Sequence, residues 1–140
     1  MADADTGSHP SNVPVPMPLC DVVGLAAEED AGAGAVWRLT EPGRQLDANL
    51  VHVPAGRHIE THVEPDVDVL LLVVRGTGTL GTAQEPQPLR EGGLMWLPHG
   101  SSRSVTAGED GMSYLTVHRR RPGMRIRGHA GDSSTGAAPR

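Results

Sequence analysis

The sequence contains no phenylalanine and no lysine, has a single cysteine, Cys20, and carries aromatic side chains at only 2 % of its 140 positions. One cysteine excludes an intrachain disulfide and fits a reducing interior. Without Phe, any core must be assembled from Val, Leu, Met and the two Trp. All twelve positive charges are Arg, a compositional bias that says little about mechanism. No long hydrophobic run is present: the longest, Val69 to Val74, is far too short to span a bilayer as a helix. The first twenty residues hold two acids, Asp3 and Asp5, several Pro and no apolar signal-peptide stretch. A net charge of −5 disfavours general binding to nucleic acid or anionic membranes. The expected setting is therefore cytoplasmic, with neither a nucleic acid nor a membrane as partner.

What is present is one domain's length of chain with a modest core. Residues 1–18 and 128–140 are polar, with Pro or Gly and Ser, and are expected to be disordered tails. The folded unit is expected over residues 19–127. Asp21 to Ala27 reads as a short helix weakened by Gly24. From Val36 onward, short apolar or alternating runs are separated by Gly and Pro turns at fairly even spacing. The runs are AVWRL, DANLVHV, the segment around His62, DVLLLVV, TGTL, GLMWLP, RSVTA and MSYLTVH. So many short strands without a helical period predict an all-β sandwich or barrel. The run from Val69 to Val74 is apolar on both faces. Val69, Leu71 and Val73 can fill an interior, so Leu70, Leu72 and Val74 need a cover. Either the N-terminal segment or a second subunit supplies it, and a homodimer is the expected state.

Two spaced motifs carry the chemistry. The first runs Gly56, five residues, His62, Val63, Glu64, four residues, Val69, six residues, Gly76. The second runs Gly92, five residues, Pro98, His99, Gly100, two residues, Arg103, three residues, Ala107. Fifteen residues separate Gly76 from Gly92. In spacing this resembles the paired motifs of the small single-domain cupins, over about Asp47 to His118. The segments GRQLDANL, HVEPDVDVLL, SVTAG and YLTVHRRRPG resemble a group of actinobacterial cupin-domain proteins. The resemblance implies a cupin-type jelly-roll β-barrel, usually dimeric, and names no reaction, because one fold hosts many chemistries.

The resemblance also implies that two His, a Glu and a last His commonly hold a divalent transition metal. Their positions here are His62, Glu64, Val69 and Arg103. Val69 offers no donor, and Arg103 is permanently protonated with no lone pair for a metal. The expectation is a degenerate metal site, with no metal and no cofactor. Residues two apart on a strand share a face, so His62 and Glu64 are expected to point inward together. Glu64 and Arg103 are then expected to form a bidentate ion pair in the metal's place, with Val69 as an apolar wall; the lesser readings are an Arg103 that binds an anion or carboxylate in an open pocket, and a catalytic acid/base pair. In the alternative register, a bulge near Pro65 swings Asp68 beside His62 and Glu64 as a third metal ligand.

Each candidate has a plainer reading. His62 reads first as a pocket-lining side chain bonded to Glu64 or to backbone, and second as a ligand or general base. His118 could line the cavity, but an exposed strand end next to three Arg is the stronger expectation. His52, His58 and His99 carry no pairing at useful spacing and are expected on the surface. Cys20 reads as a small buried residue rather than a nucleophile. The basic run from Arg119 to Arg127 is expected to be a solvated or subunit-pairing edge rather than a phosphate site.

The ligand-pocket candidates are thus His62, Glu64, Val69, Asp68, Arg103 and His118. The leading functional expectation is a metal-free cupin that binds a small organic ligand or serves an accessory or regulatory role. One alternative is a metal-dependent or acid/base enzyme acting on a small metabolite as oxygenase, isomerase or cyclase. The other is a structural or interaction module with a filled barrel.

Overall fold

Two long strands dominate the computed structural model, which describes residues 13–28 and 32–121. In chain order the elements are α1 (Val22–Ala26), β1 (Gly34–Arg38), β2 (Leu46–Val53), β3 (His58–Val63), β4 (Val69–Gly81), β5 (Gln87–Leu89), β6 (Leu94–Leu97) and β7 (Ser102–Arg119). All strand pairs are antiparallel. Strand β4 joins the runs expected separately as DVLLLVV and TGTL, and β7 joins RSVTA to MSYLTVH.

The joins are bends, and glycine makes them possible. Gly76 and Gly111 both have positive φ, 83° and 78°, a conformation L side chains rarely adopt. A Cβ on Gly76 would also collide with the Gly111 carbonyl oxygen. The early part of β4 therefore pairs in one sheet and its late part in another. The first sheet runs β1, β2, the later half of β7, the first half of β4, then β6. The second runs β3, the early half of β7, the later half of β4, then β5. The result is an antiparallel jelly-roll barrel, as the strand pattern predicts. Strand β5 has no counterpart among the expected runs.

Between the sheets lies one apolar cluster, including Val53, Val69, Leu71, Val73, Leu80, Leu97, Val105 and Met112. Cross-strand pairing places Leu50, Leu115, Leu72 and Leu94 in a row on the opposite, outer face of the first sheet. Ala48, Val117, Leu70 and Trp96 form the next row. Helix α1 packs against β2 and β4, and both Ala26 and Leu50 are buried. At the other end of the rows Leu70, Leu94 and Trp96 remain exposed. The N-terminal segment thus supplies part of the expected cover and leaves the rest bare.

Residues 13–20 carry no regular secondary structure and their side chains are exposed, Cys20 among them. This corrects the expectation of a buried cysteine. The expected tails otherwise lie outside the described residues, as do positions 122–127 of the expected folded unit.

Candidate functional site

One end of the barrel gathers the start of β4, the end of β3 and both ends of β7. His62 on β3 stands directly across from Arg103 on β7, so the two share a face. His62 is exposed at the rim, and its Nδ1–H donates to the Glu60 carbonyl at 3.0 Å. That bond leaves Nε2 as the ring's acceptor. Val69 is buried beside its β6 partner Leu97 and forms an apolar wall.

Glu64 follows β3 and does not form the expected pair with Arg103. Its carboxylate takes an ion pair and hydrogen bond from Arg121, just beyond β7, and a second bond from the Asp66 N–H at 2.9 Å. Burial pushes its pKa up. The Arg121 hydrogen bond and charge and the Asp66 and Val67 N–H groups outweigh this, and the net shift is downward. Arg119 donates to the Asp66 carbonyl at 3.1 Å. The basic run is therefore not simply solvated: two of its members tie the loop after β3 to the end of β7.

Arg103 is only 4 % exposed. Among the described residues its Nε has no hydrogen-bond partner, and Nη2 makes one long bond, 3.4 Å, to Ser101 Oγ. Desolvation lowers its pKa, and the charge of Glu64 partly opposes the effect. Glu64 thus lies near enough to act on the guanidinium through its field but does not bond to it. The physical reason is competition, since Arg121 and the Asp66 N–H occupy both Glu64 oxygens.

Asp68 does not join His62 and Glu64. Its Oδ1 accepts from the His99 N–H at 2.8 Å and from the ring Nδ1–H at 2.7 Å, on the exposed surface. The His99 backbone bond, then the ring bond and its charge, lower the Asp68 pKa. His99 is on the surface as expected but is not unpartnered. Nor are His58, bonded to Glu60 Oε2 at 2.8 Å, and His52, hydrogen-bonded with Ser113 Oγ at 2.9 Å.

His118 corrects the expectation of an exposed strand end. It is buried, pairs across β2 with Asp47, and donates from Nδ1 to the Arg119 carbonyl at 2.8 Å. Register places Asp47, Asn49, Thr116 and His118 on the inner face of the first sheet at this same end. Asp47 is held by Arg44 Nε at 2.9 Å. Tyr114, deeper on that face, is pushed up to about 12 by burial and keeps its proton. Elsewhere, a half-open cleft between β2 and β3 is lined by Val51, Val53 and Ile59 with His52, Arg57 and His58 at its rim. None of the sequence-derived candidates lines it.

Two interactions here escape a reading of the sequence. The Glu64–Arg121 pair joins residues 57 apart, and the Asp68–His99 pair residues 31 apart. No local spacing signals either.

Comparison with solved structures decides the architecture. A protein with a double-stranded β-helix domain from Klebsiella pneumoniae superposes with a TM-score of 0.60 at 15 % identity, covering 74 % of this chain and 90 % of that one. The cupin domain of Cnp3 from Schizosaccharomyces pombe superposes with a TM-score of 0.55 at 15 % identity. The chain has the cupin fold. A Thermus thermophilus protein, TT1209, matches over 76 % of this chain and all of its own, with a TM-score of 0.63 and 20 % identity. The Cnp3 match covers 61 % of this chain and 63 % of that domain. No family model matches the sequence, and no curated protein does.

A transition metal of the kind cupins commonly hold does not fit these residues. Among the described residues no three His, Cys, Asp or Glu side chains cluster as a metal site. Of the four positions in the motif, Val69 has no donor, Arg103 has no lone pair, and Glu64 already neutralises Arg121. His62 alone keeps a free imidazole nitrogen.

Proposed function

We propose that this cupin-fold chain is a binding protein in a reducing cytoplasm. Its barrel takes a small organic ligand at the Arg103 end without a transition metal, in an accessory or regulatory role. The observation that carries this reading is the buried guanidinium at the position where the cupin motif that the sequence resembles has a histidine. A cation brought to that point would meet fixed positive charge and one available donor, whereas usual sites supply three or four. Native mass spectrometry and elemental analysis of protein purified without chelator test it. Metal well below one equivalent is expected, with a copurified small molecule in part of the population. Stoichiometric zinc, iron, manganese, nickel or copper would overturn the reading in favour of a metalloenzyme.

A filled structural barrel is the second reading. It is favoured by the continuous apolar cluster from Val53 to Tyr114, which occupies the middle of the barrel. On the leading reading the ligand is confined to the polar end beyond that cluster.

The partner we infer is a second copy of the chain. Leu70, Leu94 and Trp96 are 46 %, 63 % and 65 % exposed on one sheet face. The same chain carries Val15, Met17 and Leu19, exposed and alternating with Pro16 and Pro18 in the segment before α1. Proline limits the segment's freedom before it docks, which reduces the entropy lost on binding. Segment on partner face, reciprocated, makes a closed two-fold contact.

A further inference from the structure

We infer that the ligand of the Arg103 end is a small carboxylate with a short apolar body, bound side-on by the Nε and Nη2 edge of that guanidinium. The inference rests on the ligand-binding reading above and adds the chemical class.

Geometry and charge both lead to it. Nε and Nη2 lie along one edge of the planar guanidinium, where two parallel N–H bonds match the two oxygens of a carboxylate. Among the described residues Nε is buried without a partner, and Nη2 holds only the 3.4 Å bond to Ser101 Oγ. Ser101 itself is engaged, since its hydroxyl donates to the Pro98 carbonyl at 2.6 Å. Buried donors are nearly always satisfied by protein, water or a bound group, so an open one on a buried charged side chain offers a place to an outside acceptor.

No carboxylate of the described chain fills the place. Glu64 is held by Arg121 and the Asp66 N–H, Asp47 by Arg44, and Asp68 by His99. Arg103, Arg119 and Arg121 meet this end of the barrel, and the Glu64 charge is already matched by Arg121. The Arg103 charge itself is desolvated and has no bonded counter-ion among the described residues, a setting in which a single negative charge is preferred to a neutral group. Aliphatic side chains lie at the start of β4 and the end of β6: Val67, Val69 and Leu97 are buried members of the interior cluster. A carboxylate on a short aliphatic body satisfies both the fork and these side chains. A fully hydrated polyanion such as phosphate satisfies only the fork.

The test uses the full chain and three probes: butyrate, its neutral isostere butyramide, and inorganic phosphate. The readouts are the Nε–H resonance of Arg103 and calorimetric titration. Butyrate is expected to shift the Arg103 Nε–H saturably, while butyramide and phosphate leave it in place. Arg103→Met should weaken butyrate binding by about tenfold or more, the value of a charged hydrogen bond. That resonance is read in the unmutated protein, so the result does not depend on how well the variant folds. No butyrate response, or an equal response to phosphate, overturns the inference. Failure of the parent reading looks different: it shows as stoichiometric metal in elemental analysis. A metal-free protein whose copurified ligand lacks a carboxylate overturns this inference alone.

Discussion

Glu64 is bound to Arg121 across 57 residues of chain, while Arg103, whose charge it also feels, receives no hydrogen bond from it. The carboxylate therefore serves as a strap between the loop after β3 and the end of β7. It does not plug the barrel. The Arg103 Nε has no hydrogen-bond partner among the described residues.

The strap predicts an acid limb in the stability curve. The Glu64 pKa lies below its ordinary value of 4.5 in the folded chain, so the unfolded chain binds the proton more tightly. Its contribution is present above that ordinary value and is lost as pH falls through the lower, folded one. Urea unfolding of Glu64→Gln between pH 3 and 7 should show a shallower acid limb than the parent. The loss at neutral pH is expected to be about 1 kcal/mol, because Arg121 is substantially exposed and screened. An unchanged acid slope would mean that the pair contributes nothing.

Arg103→Met should leave the ligand-free protein as stable as its parent or more stable by about 1–3 kcal/mol. A charged group with an orphaned donor is replaced by a side chain of similar length that needs none. Thermal unfolding in ligand-free buffer measures it. A loss of several degrees would show that Arg103 is a structural charge with a partner of its own.

Restoring donors should restore metal. Arg103→His with Val69→Glu and Glu64→His supplies, with His62, four donors at the motif's spacing, and zinc is expected to approach one equivalent by elemental analysis. The parent should remain well below that. Equal zinc in both would show that the four positions do not converge.

Trp96 reports on pairing. Full-length chain at micromolar concentration should show the mass of a dimer by light scattering, and Trp96→Glu should return it to monomer with an unchanged circular dichroism spectrum. Met17→Asp with Leu19→Asp should have the same effect if the segment before α1 is the contact. A dimer that survives both sets of changes uses another surface.

The architecture was legible because it depends on local signals. Gly and Pro punctuate the runs, inner and outer residues alternate along β4, and the two motifs keep their spacing across Gly56 to Ala107. Legibility stops where a contact is set by the bend of a strand. Gly76 and Gly111 read as turn residues, yet with positive φ they bend strands that continue on either side. Strand β5, with Pro88 at its centre, carries no strand signal and exists as a short edge. Glu64 drew the wrong partner because Arg103 is near it by motif, while Arg121 reaches it only after the whole of β7 has run. His118, read as an exposed strand end, pairs instead with Asp47 on β2, 71 residues earlier in the chain.

The sharing of β4 and β7 between both sheets has a kinetic consequence. Neither sheet can peel away alone, because opening one pulls on the strands that form the centre of the other. Nearly every pairing that closes the barrel joins residues far apart along the chain, and such topologies fold slowly. Amide exchange in both sheets should then report one common opening rather than two. A ligand seated at the Arg103 end would slow that single event everywhere at once.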